Sequence, residues 1–249
     1  VERLRQRPPF SIDVSCHSVN EAAFDRFTQV PGSFRQFMRG MELLRDSGLP
    51  FCFKTKAMNW NVDELPQIRR FVESLGQRFE FTTSLSPRLN GDLGPLQYRL
   101  SPELVARSQA ECSGVAETED ECREAGVLSA PSSRLYRCGC GTNTIHINAW
   151  GELGTCTLQY ERRVSLREYP LKAAIEKVFH EVRALHYGTD SPCATCQVSL
   201  FCDKKPTDAR WECGDAEAPI PYDCDVAVAR AGRSIGRTLS HPLRAAAVH

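Results

Sequence analysis

The stretch SPCATCQVSLFC places Cys193, Cys196 and Cys202 within twelve residues. Two residues between Cys193 and Cys196 let both sulfurs leave one tight turn toward a common metal, and a closed thiolate site needs a fourth ligand. Cys224, in YDCD, is the leading candidate downstream, because a ligand drawn from a distant segment ties that segment down; Cys213 is its competitor. Such a set suits either a cubane iron–sulfur cluster or a structural zinc, since both accept four thiolates. Spacing alone does not separate the two.

A second group lies upstream, with Cys138 and Cys140 in RCGCGTN and Cys156 across a predicted hairpin. Glycines beside these thiols would let the backbone approach a bulky cofactor closely. Cys16, Cys52, Cys112 and Cys122 read as ordinary buried or surface thiols, because cysteine readily fills small apolar sites.

Twelve cysteines in 249 residues would suggest a disulfide framework only in an exported chain. No apolar run approaches the roughly 18–20 residues that span a bilayer, and the start, VERLRQRPPF, lacks the apolar segment of a signal peptide. A cytoplasmic setting is therefore expected, with no membrane partner and thiols kept for metal or redox chemistry. The balance of 31 basic against 31 acidic side chains gives no basic excess for nucleic acid. A first residue of Val rather than Met is expected to mark the cut end of a longer chain.

The elements that must position these thiols follow from hydrophobic periodicity. FSIDVSC, FCFKTKAM and RFEFTTSL read as strands. Between them, Phe34, Phe37, Met38, Met41 and Leu44 form one face of a helix from about Ser33 to Gly48, a core stripe. A second helix follows Asn61, read as an N-cap with Glu64 completing a capping box. Strand–helix alternation implies a parallel sheet and an α/β architecture. Chemistry in barrels of this kind gathers at the strand C-termini, which brings Ser15, Cys16, His17, Lys54, Lys56, Thr83 and Ser84 near any site. His17 could face a substrate there; the plainer reading is a satisfied structural histidine. Residues 101–137 read as an acidic, helix-containing linker, TNTIHINAWGELGTCTLQ as a hairpin, and Leu171 to Leu185 as a third amphipathic helix.

A cysteine, ten residues, a glycine, four residues and a cysteine, followed by CxxC, a third cysteine and a distant fourth, resembles the SPASM domain of radical S-adenosylmethionine enzymes. Upstream, SCHSVNEAAFDRFTQVPGSF, KTKAMNWNVDELPQI and SLSPRLNGD resemble the second half of the barrel in those enzymes. The resemblance implies the C-terminal half of a radical S-adenosylmethionine (β/α) barrel over residues 1–95, a linker with a helix over 96–137 and a small cysteine-rich α+β SPASM domain over 138–228; the Ala- and Arg-rich end, 229–249, has no core stripe and reads as a mobile tail.

Carried over by position, Cys193, Cys196, Cys202 and Cys224 match the ligands of one auxiliary 4Fe-4S cluster, and Cys138 or Cys140 with Cys156 those of another. Ser15 and Lys54 match positions that contact S-adenosylmethionine. Two departures stand out. Where the family has a further cysteine after the one at Cys202, this chain has Lys205 and Pro206, and no CxxxCxxC triplet occurs anywhere in it. The implied enzyme makes a 5′-deoxyadenosyl radical with a reducing electron donor and modifies a substrate, a peptide or protein being expected; this chain alone is expected not to cleave S-adenosylmethionine. The rival readings are a non-catalytic zinc- or iron–sulfur-binding scaffold and an electron-transfer module.

Overall fold

A computed structural model describes residues 1–112 and 132–235. Cys122 and the rest of 113–131 lie outside the described residues, as do residues 236–249 of the expected tail. The described chain divides into two units, residues 1–85 with 98–112, and residues 86–97 with 132–235. No helix among the described residues is long and apolar enough to cross a membrane.

The first unit is mixed helix and strand, as its alternating pattern requires. A short helix α1 (Glu2–Gln6) precedes strand β1 (Ile12–Ser15), helices α2 (Glu21–Thr28) and α3 (Ser33–Arg45), strand β2 (Phe51–Lys56), helix α4 (Leu65–Ser74) and strand β3 (Phe79–Thr82). The strands form one parallel sheet in the order β1-β2-β3, with Val14 opposite Phe53 and Phe53 opposite Phe79. Those three residues join Cys16, Met41, Ile68 and Val72 in the apolar core. Helix α3 begins at Ser33 because the Asp25 carboxylate of α2 accepts hydrogen bonds from the amides of Gly32 (2.5 Å) and Phe34 (2.8 Å) and from the Ser33 hydroxyl (2.9 Å). Gly32 and Gly48, at φ of 79° and 70°, supply the left-handed turns that bracket α3.

The capping box expected at Asn61 does not form. A 3-10 turn, Val62–Glu64, precedes α4, and the Asn61 side chain makes no cap hydrogen bond. Its amide is buried, donating to the carbonyls of His17 (3.0 Å) and Lys56 (3.1 Å) and accepting from the Met58 amide (2.8 Å). Glu64 is engaged by the Ser18 hydroxyl at 2.5 Å. Helix α5 (Pro102–Cys112) falls in the segment expected to be a helix-containing linker, and Leu100, Val105 and Ala106 are buried, so this part belongs to the first unit. Apolar side chains at helical spacing make it a packed element rather than a spacer.

In the second unit, strands β4 (His146–Ile147), β5 (Glu152–Gly154) and β6 (Val164–Ser165) form an antiparallel sheet in chain order. The expected hairpin is present over β4 and β5; Asn148 Oδ1 closes its turn by accepting from the amides of Trp150 and Glu152, both at 3.0 Å. Strand β6 was not expected. Helix α6 (Leu171–Arg183) lays Ala174, Val178 and Val182 against Leu153, Val164 and Cys140. Gly141, at φ of 73°, has Val182 Cβ 3.2 Å from where its own side chain would begin. It makes room for α6.

Helices α7 (Pro206–Cys213) and α8 (Pro221–Ile235) follow two 3-10 turns, Pro192–Thr195 and Ser199–Phe201. Helix α8 runs past residue 229, where a mobile tail was expected. Ala227 and Ala231 of α8 pack on Val198, which is why the helix continues: small side chains let it lie close to the turn beneath.

Candidate metal centre

All ten cysteines with described side chains are free thiols, and four of them share one hollow. Cys193 lies in the Pro192–Thr195 turn, which Ser191 opens by accepting the Cys193 amide hydrogen bond on its hydroxyl (3.4 Å). Cys196 ends that turn in extended backbone, and Cys202 likewise follows Ser199–Phe201. Cys224 comes from the first turns of α8. These four thiols line a cavity of about 60 Å³ together with Arg137, Tyr187, Lys204 and Asp223. That is several times the roughly 10–15 Å³ that a single water occupies by the same kind of measure.

Cys213, the competitor for the fourth position, is exposed at the end of α7, where its thiol donates to the Pro219 carbonyl at 3.6 Å. The geometry therefore groups Cys224 with the other three. Burial pushes the Cys202 thiol up to about 12 and, with the neighbouring Cys202 second, pushes Cys224 up to about 12 as well. Bare thiolates are disfavoured in such a hollow; a cation would compensate them.

Cys138, Cys140 and Cys156 also come together, close enough for the Cys140 thiol to act on both of the others. This contact draws Cys138 and Cys156 below the ordinary thiol range and pushes Cys140 above it. Of the two residues that stand where the resembled family has a cysteine, Lys205 is the N-cap of α7 and Pro206 its first residue. Its ammonium pairs with the buried Asp208 carboxylate at 3.4 Å. Among the described residues, no group of three or more His, Cys, Asp or Glu side chains has the arrangement that would hold a single metal ion.

In the first unit, Ser15 and Lys54 are register partners on the exposed face of the sheet. Lys54 lies 2.6 Å from Asp13 and 3.9 Å from Glu80, which flank it on the neighbouring strands. The bond to Lys54 holds the Asp13 carboxyl below its usual range. Lys56 shares this face, being two residues along the strand, and donates to the Ser84 carbonyl at 2.9 Å. Lys54 and Lys56 therefore leave β2 on the same side. His17 packs its ring on Phe27, centroids 4.3 Å apart, and burial lowers its pKa by disfavouring the charged ring. Cys16 is core, and Cys52 donates to Asp13 at 3.0 Å, in keeping with ordinary thiols.

Tyr187, Lys204 and Arg137 were not singled out in the sequence. Lys204 stands two residues from Cys202, a proximity that sequence could show; Tyr187 and Arg137 reach the hollow only through tertiary folding.

No family model matches this chain. A protein of Methanosarcina barkeri (strain Fusaro / DSM 804) named AdoMet-dependent heme synthase is 23% identical to it over 243 residues, covering 89% of this chain and 69% of that protein. A protein of the same name from Nitratidesulfovibrio vulgaris (strain Hildenborough) is 31% identical over 75 residues, covering 30% of this chain and 20% of its own length. Both likenesses support a radical S-adenosylmethionine relationship. A 4Fe-4S cluster and S-adenosylmethionine are the cofactors that such a relationship implies.

Proposed function

We propose that this chain forms the auxiliary-cluster end of a radical S-adenosylmethionine enzyme, a partial barrel followed by a SPASM domain, with Cys193, Cys196, Cys202 and Cys224 holding a 4Fe-4S cluster. The observation that carries the proposal is the convergence of these four thiols, from two 3-10 turns and α8, on one hollow of about 60 Å³. A hollow with sulfur at its walls suits a multi-atom cluster better than a zinc ion, whose sulfurs close to about 2.3 Å. When bound, the cluster would supply one-electron transfer.

Cys138, Cys140 and Cys156 form a second donor set of three thiols, suited to a cluster with one iron not held by cysteine. Ser15 and Lys54 are the proposed contacts for S-adenosylmethionine on the exposed sheet face. Cleavage of S-adenosylmethionine itself is not assigned to this chain, whose sequence contains no CxxxCxxC triplet. The name of both relatives favours a heme precursor as substrate over the peptide expected from sequence.

Anaerobic reconstitution followed by iron and acid-labile sulfide analysis tests the reading, with Cys224→Ala and Cys213→Ala compared in parallel. About four irons with matching sulfide, lost in Cys224→Ala and kept in Cys213→Ala, supports one cluster; about eight falling to about four supports both. Zinc without sulfide overturns the cluster and favours the scaffold reading. With dithionite and S-adenosylmethionine, the loaded chain is expected to yield no 5′-deoxyadenosine. An absorbance titration with a carboxylated iron porphyrin separates the substrate classes, since a peptide-binding site leaves the Soret band unmoved.

A further inference from the structure

The first unit holds a cavity walled by aromatic rings. Phe27 of α2, Trp60 and Tyr98 line it with Ala23, Arg26 and Gln29, and its volume is about 320 Å³. That is the small end of the roughly 300–1,000 Å³ of small-molecule sites, room for one or two fused rings. Phe27 and Trp60 are stacked, with centroids 4.8 Å and planes 25° apart, and the His17 ring supports Phe27 in turn. The aromatic surface is nonetheless left uncovered, Phe27 being 37% and Tyr98 45% exposed.

Phe27 and Trp60 belong to the segments that follow β1 and β2, whose C-terminal ends are where open α/β sheets bind ligands. Asn61 fixes the turn that presents Trp60: its side chain accepts from the Met58 amide at 2.8 Å, and its own amide donates to the Met58 carbonyl at 3.1 Å. The Asn59 amide donates to the Tyr98 carbonyl at 3.1 Å and so ties Tyr98 to the same turn. Gln29, the C-cap of α2, has a φ of 59° and is the one non-glycine residue with positive φ among the described residues. Glycine takes that conformation without steric cost, and it is the usual residue there. Glutamine instead adds an amide-bearing side chain at a position that lines the cavity. Among the described residues, the side chains of Arg26, Gln29, Trp60 and Tyr98 make no hydrogen bond or ion pair, and no acidic residue lines the cavity.

We propose that this cavity binds a flat aromatic ring bearing an anionic group, the ring packed against Phe27, Trp60 and Tyr98 and the anion met by the Arg26 guanidinium. Aromatic faces offer large apolar area with a preferred stacking geometry, and a guanidinium presents a planar fork that matches a carboxylate or phosphate. The proposal goes beyond the cluster reading and does not depend on it.

Calorimetric titration of the full chain with naphthoate tests it. Naphthyl methanol, which keeps the rings without the charge, and cyclohexanecarboxylate, which keeps the charge without the rings, are titrated in parallel. Naphthoate should saturate at one site per chain and bind about tenfold more tightly than either, the scale of one charge-assisted hydrogen bond or one aromatic contact. Arg26→Gln should bring naphthoate down to the level of the alcohol and leave the alcohol unchanged. Tyr98→Leu should weaken both. Gln29→Gly should bind naphthoate more weakly while melting no lower than wild type, since glycine accepts the left-handed backbone; this variant separates binding from folding. Arg39→Gln, which removes an exposed charge on α3, should leave the affinity within about twofold. Naphthyl phosphate binding more tightly than naphthoate, with the advantage lost in Arg26→Gln, supports the site and assigns the anion as a phosphoryl group. Absence of saturation by either anion below about 1 mM, binding indifferent to Arg26→Gln, or equal binding of the alcohol overturns the proposal. Iron and sulfide analysis of the same chain reads the four-thiol hollow separately, so failure of one site is distinguished from failure of the other.

Discussion

Arg230 Nη2 lies 2.7 Å from Asp203 Oδ2, and Arg230 Nη1 donates to the Phe201 carbonyl at 2.9 Å, so a side chain of α8 grips both neighbours of Cys202. Two turns earlier on the same helix stands Cys224. Arg230 therefore couples the segment that presents one thiol to the element that presents another. Replacing it with Met keeps the aliphatic stem and removes the fork. The expected loss is about 1.5–3 kcal/mol, the range for hydrogen bonds to charged groups, since the side chain is only 13% exposed. Chemical denaturation of the unloaded chain measures it, and a change below about 0.5 kcal/mol would show that the grip is incidental.

Asn61 is the second point of vulnerability. Its buried amide serves the Met58 amide and the carbonyls of His17 and Lys56. Asn61→Ala strands three main-chain groups without water, at a cost on the order of 3 kcal/mol. Asn61→Asp should cost at least as much, because a carboxylate cannot donate to the two carbonyls. If Asp were tolerated better than Ala, the donor role would be wrong.

Asp25 links stability to pH. Hydrogen bonds from the Phe34 and Gly32 amides, and then from the Ser33 hydroxyl, hold its carboxyl below the usual range in the folded chain. Its folded value is depressed, so its contribution is fully present above the unfolded value of about 3.9 and disappears as pH falls through the folded value. Asp25→Asn should be less stable than wild type at pH 7, and the gap between their unfolding midpoints should narrow progressively as pH falls below about 4. A gap that stays constant down to pH 2 would assign the effect to shape rather than charge.

Gly141→Ala tests the fit of the three-thiol segment against α6. A methyl group there meets Val182 Cβ at 3.2 Å and the Phe179 carbonyl at 3.3 Å, on backbone with φ of 73°. The expected destabilisation is about 1–3 kcal/mol. Val182→Ala in the same chain should recover part of it, in a double-mutant cycle read by thermal melting.

Local patterns were legible in the sequence; distant partners were not. The stripe from Phe34 to Met41 and the turn at Gly48 gave α3 nearly to the residue, because period and breaker are both written locally. The source of its cap was hidden, since Asp25 belongs to a helix that sequence reading passed over. Asn61 was read as a cap because Asn followed by Glu three residues on has that signature. Tertiary folding instead drew its amide to His17, forty-four residues away. Thiol grouping was legible for the same reason that α3 was: Cys193, Cys196 and Cys202 sit close in sequence. The other residues lining the hollow were less so, since nothing in the type of Tyr187 marks it as a neighbour of the thiols and Arg137 reaches Cys193 from 56 residues away.

The triad Asp13, Lys54 and Glu80 runs across three adjacent strands, negative, positive, negative, on the face away from Phe53. Side chains alternate with period two, so sliding β1 or β3 by one residue would turn Asp13 or Glu80 inward among Phe53, Ile68 and Val72. A carboxylate has no partner there. The charges thus act as a proofreading mark on strand alignment: a chain that pairs its strands out of step has to bury an unpaired carboxylate.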